Sequence, residues 1–277
     1  MEEAPRFAVG GVISAGLSVV FANILRFLVI ILAIGVPAVV LIVGCAAATM
    51  AGGFSQGDGF NFALNGSEVL TFLIFVVIAF ISLVAYLLIQ AALAFGALQH
   101  LRGGPVSIGA CLSNGLAALP RVVLASLVLA VVGGLIGIVV ALILSVVMSA
   151  LGLFGLIVGI GAVVLFLFAI TMIWVFVPAI VVERAGALAC FGRSMELTRG
   201  RRWQIFAILV LLTIANWVVS FISNALANVA PVVSGTVDVV SGLFFLALGS
   251  VMAAVGYYYL RAEKEGLGID DIAAVFD

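Results

Sequence analysis

The chain of 277 residues is 66% hydrophobic, carries only 8% charged residues and has a mean hydropathy of +1.47. Soluble domains of this size carry about 25% charged residues, so the composition excludes a soluble protein and indicates one integral membrane domain over residues 1–277. The first residues, MEEAPRF, are acidic and lack a small-residue cleavage site, so we expect no cleaved signal peptide.

Uncharged runs place the predicted spans along the chain. The longest run, residues 122–182, is far too long for one crossing at about 1.5 Å per residue, so it must fold back. The glycine-containing segment SALGLFG at 149–155 is the expected turn. The prediction is an all-α polytopic membrane bundle of six transmembrane helices, at about 24–50, 68–101, 121–149, 154–183, 202–228 and 238–262.

The distribution of positive charge predicts the orientation of these spans. With six spans, all eleven Lys and Arg residues fall on the side that holds both termini and the two even-to-odd connections. The connections near 51–67, 150–153 and 229–237 hold none. The positive-inside rule therefore predicts a multi-pass protein with cytoplasmic N- and C-termini. The excess of Arg over Lys, with abundant Ala, Gly and Val, suggests the inner (plasma) membrane of a bacterium.

A short amphipathic segment precedes each odd-numbered span. The three expected apolar faces are Ile13, Leu17, Val20 and Ile24; Ile108, Leu112, Leu116 and Leu119; and Leu188, Phe191 and Met195. The even-numbered spans end on a recurring arginine, at Arg102, Arg184 and Arg261. We therefore expect three parallel units, each a short interfacial helix followed by a transmembrane hairpin.

The segment VPAIVVERAGALACFGRSMELTRGRRWQIF, residues 177–206, resembles a known membrane domain. That domain precedes the catalytic domain in some bacterial glycerophosphodiester phosphodiesterases and also occurs in stand-alone, largely uncharacterised YciC-like relatives. The matching positions are Pro178, Glu183, Gly186, Arg193, Ser194, Leu197, Gly200 and Trp203. The ending YYYLRAEKEG is also similar. The resemblance implies six helices and supplies no catalytic residue. This chain departs from the phosphodiesterases in that no phosphodiesterase domain is expected after the sixth helix.

Residues that could carry enzymatic chemistry are sparse. His100 is the only histidine, and beside Arg102 we interpret it as a solvated or hydrogen-bonded helix-end residue. The three cysteines have no metal-ligand spacing, the carboxylates stay at the ends of the spans, and no phosphate-binding loop occurs between a strand and a helix. We therefore expect a protein that is not an enzyme, with no catalytic residues, no cofactor, no metal and no nucleic-acid partner.

Three glycines recur every seven residues in the sixth predicted span, at Gly242, Gly249 and Gly256. Helices in lipid associate through such small residues because their backbones can approach closely. Packing within the bundle is the first interpretation of this stripe, and formation of a homodimer is the second.

The segment CFGRSMELTRGRRW gathers four arginines at the second cytoplasmic connection. Glu183 is expected to pair with Arg193 or Arg184 and to fix the short helix against the bundle. The four arginines either anchor the topology or form a docking site for a protein partner or an anionic lipid. The residues of that docking hypothesis are Arg193, Arg199, Arg201, Arg202 and Trp203.

The sequence therefore predicts a non-enzymatic polytopic inner-membrane protein that acts through lipid or protein contacts at its cytoplasmic face. The alternative is an uncoupled transporter or channel for a small solute or lipid. A continuous polar cavity that reaches Gln90 and Asn216 would favour transport.

Overall fold

The computed structural model describes residues 7–51, 66–151, 153–183, 186–227 and 229–265. Within these ranges the chain is helical apart from short turns and has no strand. The helices are α1 (Val9–Ala22), α2 (Ile24–Ala51), α3 (Gly66–Leu101), α4 (Ile108–Leu151), α5 (Leu153–Ile170), α6 (Phe176–Glu183), α7 (Ala187–Thr198), α8 (Arg202–Ala227) and α9 (Pro231–Glu265). Five of them, α2, α3, α4, α8 and α9, are long and apolar enough to cross a membrane, which confirms an all-α protein with several candidate spans.

The fourth predicted span is not one helix. Helix α5 ends at Ile170, residues 171–175 form turns with hydrogen bonds between residues three apart, and α6 begins at Phe176. Pro178 supplies the physical reason, because its ring would clash with the carbonyl of Trp174 if the helix continued without a break. The Ser194 hydroxyl then donates to the freed Met172 carbonyl oxygen at 2.8 Å.

Two other helices differ from the predicted bounds. Helix α4 begins at Ile108 and runs through Pro120, so the second short segment and the third span form one continuous helix. Helix α9 begins at Pro231, seven residues before the predicted start, because proline is well suited to the first helical position. The structure describes α4 to Leu151 and α5 from Leu153, and residue 152, inside the turn expected at 149–155, lies outside the described residues.

Burial divides the molecule into two regions. Buried side chains concentrate in residues 7–31, 87–125, 171–208 and 247–265, which we call the packed layer. The other described helical residues form six stretches, which we call the apolar segments. They are residues 32–51, 66–86, 126–151, 153–170, 209–227 and 231–246. Most of the large hydrophobic side chains described in the apolar segments are exposed.

Helix α1 is part of the packed layer and runs antiparallel to α9. The backbone N–H of Phe7 donates to Glu263 Oε2 at 3.0 Å, and farther along α1 a Cβ at Gly16 would lie 2.9 Å from the Met252 side chain. At the far end of α1, the rings of Phe21 and Phe244 lie 6.1 Å apart. The first short helix is therefore held lengthwise against α9.

The predicted faces of the three short segments are wrong by about one residue. Ile24, Leu116 and Met195 are 44%, 55% and 44% exposed, although Val20 is buried and Ile13, Leu17, Ile108 and Leu112 are partly buried. The side chain of Leu188 lies outside the described residues. The residues that are buried instead are Val12, Gly16 and Val19; Cys111, Gly115 and Ala118; and Cys190, Ser194 and Leu197. Small side chains face inward because they let helices approach closely, as at Gly115, where a Cβ would lie 3.2–3.3 Å from Ala92.

The glycine stripe of α9 is packed at one of its three positions. A Cβ at Gly256 would lie 2.5 Å from the Trp174 ring, so this glycine is required for close packing. A Cβ at Gly242 or Gly249 would meet no heavy atom within 4 Å in the described chain. Among the described residues, close packing within the bundle is therefore seen at Gly256 and not at Gly242 or Gly249.

Candidate functional site: the charged network and the arginine turn

An ion-pair network joins α6, α7 and α9. Glu183, the last residue of α6, accepts hydrogen bonds from Arg193 Nε at 2.9 Å and from the Tyr257 hydroxyl at 2.8 Å. Arg261 donates to the Tyr257 oxygen at 3.4 Å and to Glu265 at 2.7 Å. The same Glu265 pairs with Arg193, which closes the network. The Glu183–Arg193 pair suggested by the sequence is thus present, and it holds α7 against the packed layer.

Arg193 is the centre of this network. It contacts Glu183 and Glu265 and lies 3.6 Å from Glu196 on its own helix. Burial opposes the charge of Arg193, but the hydrogen bond and the negative charge of Glu183 outweigh it and raise the pKa of the guanidinium. Arg193 therefore stays charged and is fully engaged by the protein itself.

Arg201 is also paired internally. Its guanidinium forms an ion pair with Glu263 of α9, with Nε donating at 3.0 Å, and donates to Gln204 Oε1 at 3.3 Å. Glu263 accepts the Phe7 N–H through its other carboxylate oxygen. The Glu263 carboxylate near the end of α9 thus binds both Arg201, next to the start of α8, and Phe7, the first described residue.

The other residues of the docking hypothesis have different surroundings. Arg199 is exposed, and within the described residues it has no ion pair or side-chain hydrogen bond. Arg202 is half-buried, and its Nε–H is covered and donates to no described acceptor. Trp203 is 71% exposed, and its ring lies 5.2 Å from that of Phe168 at the end of α5.

A tight turn between α7 and α8 explains why Arg199 is exposed while Arg201 is paired. Arg199 has φ −61° and ψ 125°, Gly200 has φ 89°, and the Arg201 N–H donates to the Thr198 carbonyl oxygen at 3.0 Å. These angles define a type II turn, which places a glycine where φ is positive. We call residues 198–203 the arginine turn. The turn leaves Arg199 exposed and directs the Arg201 side chain toward the carboxylate of Glu263. The four arginines that are close in sequence therefore have different partners in the structure.

A second polar cluster joins the ends of α1 and α3. The Asn23 Nδ2 atom donates to the Val19 carbonyl oxygen at 3.1 Å and lies 3.0 Å from His100 Nδ1, while Arg26 donates to Asn23 Oδ1 at 3.2 Å. Because Val19 and Arg26 fix the orientation of the amide, His100 Nδ1 acts as the acceptor. The sequence predicts His100 as a solvated or hydrogen-bonded helix-end residue, and the structure shows the hydrogen-bonded form. It gives no signal for Asn23, which lies between α1 and α2 and is 4% exposed.

The polar residues of the transport alternative do not converge. Gln90 donates to Tyr86 of its own helix at 2.8 Å, and Asn216 is exposed on α8. Within the described ranges, no group of three or more His, Cys, Asp or Glu residues is placed to hold a metal ion. Transport therefore stays a prediction from the sequence. Among the described residues, no polar cavity is seen that connects Gln90 with Asn216.

Comparisons of the chain with protein-family models, curated proteins and solved structures find no match. The resemblance to the phosphodiesterase membrane domain therefore rests on the residues quoted above.

Proposed function

We propose that the chain is a non-enzymatic bacterial inner-membrane protein that crosses the membrane six times. The six apolar segments are its spans, and the packed layer lies on the cytoplasmic side, where it acts through contacts with lipid or with a protein partner. The segments contain roughly 16–26 residues, which corresponds to about 24–39 Å of helix and brackets the hydrocarbon thickness of about 30 Å.

One observation carries this proposal: basic residues and apolar surface lie in different regions. The described Lys and Arg residues, nine of the eleven in the chain, all belong to the packed layer. The charged residues of the six segments are Glu68 and Asp238 alone. The positive-inside rule assigns such a basic region to the cytoplasm.

The path of the chain supports an even number of crossings. Helix α4 leaves the packed layer after Ala125, and Glu183 at the end of α6 is back in that layer against Arg193. The 18 residues of α5 amount to about 27 Å, close to one crossing, and α6 then belongs to the packed layer. The break at 171–175 thus marks the point where the fourth span would leave the hydrocarbon.

The packed layer explains why several helices are longer than a bilayer requires. Helix α4 has 44 residues, or about 66 Å, of which residues 108–125 contribute to the packed layer. Helix α1, whose 14 residues amount to roughly 21 Å, packs within this layer and reaches from Glu263 to the His100 cluster. Long helices therefore supply both the spans and a helical cytoplasmic body.

The topology is tested by cysteine labelling in a variant without Cys45, Cys111 and Cys190. Gly57→Cys lies in the predicted first external connection, and Gly192→Cys lies on the exposed face of α7, where added atoms meet no neighbour within 4 Å. An impermeant maleimide should label Gly57→Cys in intact cells and Gly192→Cys only after permeabilisation. Labelling of Gly192→Cys in intact cells would contradict the proposal.

The mode of action is tested by purifying the protein in native-lipid nanodiscs and identifying what copurifies by mass spectrometry. A constant set of retained anionic lipids or one stoichiometric protein partner is the expected result. Saturable movement of a solute across reconstituted vesicles, abolished by changing Gln90 and Asn216, would instead establish the transport alternative.

A further inference from the structure

The structure assigns Arg199 and Arg202 of the arginine turn, beside the exposed Trp203, as the binding site for the phosphate headgroup of an anionic phospholipid. This inference rests on the proposed function, because it requires the packed layer to lie at the cytoplasmic leaflet. It narrows the docking hypothesis from four arginines to two.

The first argument is the availability of charge. Arg193 and Arg201 are paired with Glu183, Glu265 and Glu263, so an incoming anion would have to compete with carboxylates that are already in place. Arg199 and Arg202 have no carboxylate partner among the described residues. Charge-assisted contacts between a guanidinium and a phosphate are therefore open to these two.

The second argument is the low cost of orienting these side chains toward a headgroup. Arg199 is already exposed by the type II turn. The Arg202 Nε–H is covered and donates to no described acceptor, so outward rotation of this side chain breaks no hydrogen bond. It also removes a buried unpaired donor, which is costly to keep.

The third argument is the contact of Trp203, at the end of the turn, with aromatic side chains where two proposed spans end. Trp203 is exposed and packs against Phe168 of α5 and Phe206 of α8, where two proposed spans reach the packed layer. Tryptophan prefers the headgroup level of a bilayer, and acyl chains can cover the aromatic rings below it. A bilayer lipid would supply both the phosphate and the apolar contact, which a soluble phosphate would not.

Charges of both signs lie near Arg199. Lys264 is attracted by the Glu196 carboxylate and repelled by the positive charge of Arg199. Lys264 donates to the backbone carbonyl of Glu196, and the nearby Glu196 carboxylate is 3.6 Å from Arg193. A phosphate bound at Arg199 would offset this repulsion.

The test measures binding of phosphatidylglycerol to the full chain in phosphatidylcholine nanodiscs. The double variant Arg199→Gln/Arg202→Gln should bind phosphatidylglycerol about 30-fold more weakly, and each single variant about fivefold. The thermal midpoint should not change. The single variants keep the test decisive if the double variant fails to fold.

The matched control is Arg26→Gln/Arg121→Gln, which removes two charges from other parts of the packed layer. It should retain phosphatidylglycerol within about threefold of the unchanged protein, since its charges lie outside the proposed site. Equal loss in both double variants would show a diffuse attraction to anionic membranes and overturn the site. Unchanged binding in the Arg199/Arg202 variant would overturn it as well.

Inorganic phosphate distinguishes a lipid from a soluble ligand. At the same concentration as phosphatidylglycerol it should not displace the lipid, and displacement would overturn the assignment to a membrane lipid. Failure of the proposed topology would appear separately, as labelling of Gly192→Cys in intact cells.

Discussion

The two halves of α9 have similar apolar sequences but different surroundings. Residues 231–246 are mostly exposed, whereas residues 247–262 are almost all buried. The buried half contacts α1, α6 and α7 and ends in the ion pairs of Glu263 and Glu265. The exposed half is covered by lipid in the topology that we propose. Burial along one helix therefore follows from its neighbours and cannot be inferred from hydrophobicity.

The largest effect is expected from a comparison of two glycines of α9, one packed against another side chain and one with open surroundings. Gly256→Leu should lower the free energy of unfolding by roughly 3 kcal/mol, because its side chain would overlap the Trp174 ring. Gly249→Leu should change it by less than about 0.5 kcal/mol, because no described atom lies within 4 Å of the new Cβ.

The measurement is the thermal midpoint in nanodiscs, read from circular dichroism. Equal destabilisation by the two variants would show that the stripe is packed at Gly249 as closely as at Gly256. A change in oligomeric state on Gly249→Leu alone would support the homodimer interpretation of the stripe.

A second comparison is between Glu183, a carboxylate of the packed layer, and Asp238, a carboxylate of the apolar segments. Glu183→Gln should lower the free energy of unfolding by roughly 2 kcal/mol, because Arg193 loses one charge partner and Tyr257 loses a charged acceptor. Asp238→Asn should change it by less than about 0.5 kcal/mol, because Asp238 is exposed in an apolar segment.

The Glu183 effect should appear as faster proteolysis of α7 before global unfolding, since α7 is the element that this carboxylate holds. Uniform proteolysis along the chain, with no early cleavage in α7, would contradict a local role for the network.

The smallest effect is expected in the arginine turn. Gly200→Ala should lower the free energy of unfolding by about 1 kcal/mol, because alanine is disfavoured at φ 89°. Gly192→Ala in α7 should be neutral or slightly stabilising, because that glycine is helical and its surroundings are open. Chemical denaturation in detergent can compare the two, and a greater loss at Gly192 would contradict the type II turn.

Much of the secondary structure could be predicted from composition and charge. The uncharged runs located α2, α3 and α8 closely, because a helix in lipid requires a long apolar stretch. The division of residues 154–183 was missed because a proline alone does not decide whether a helix breaks, and the Ser194 bond to the Met172 carbonyl forms only once α7 is packed in place. Pro120 carries no such partner and leaves α4 continuous.

The candidate site was only partly predictable. The proximity of Arg193 to Glu183 could be inferred because ten residues separate them across one short connection. The pairing of Arg201 with Glu263 spans 62 residues, so no local pattern indicates it. Sequence reasoning therefore grouped four arginines as one surface, and the contacts to α9 separate them.

By itself, the sequence determined that this protein is a helical chain built from long apolar stretches and that its positive charge lies outside those stretches. Hydropathy and charge can be read in this way because they are local properties of residues. Only the tertiary structure decided which face of each short helix is buried, which glycine is packed and which arginines are free of carboxylates. Those outcomes depend on atoms brought together from distant positions, where a contact such as Gly256 with Trp174 or Arg201 with Glu263 exists only after the helices have packed.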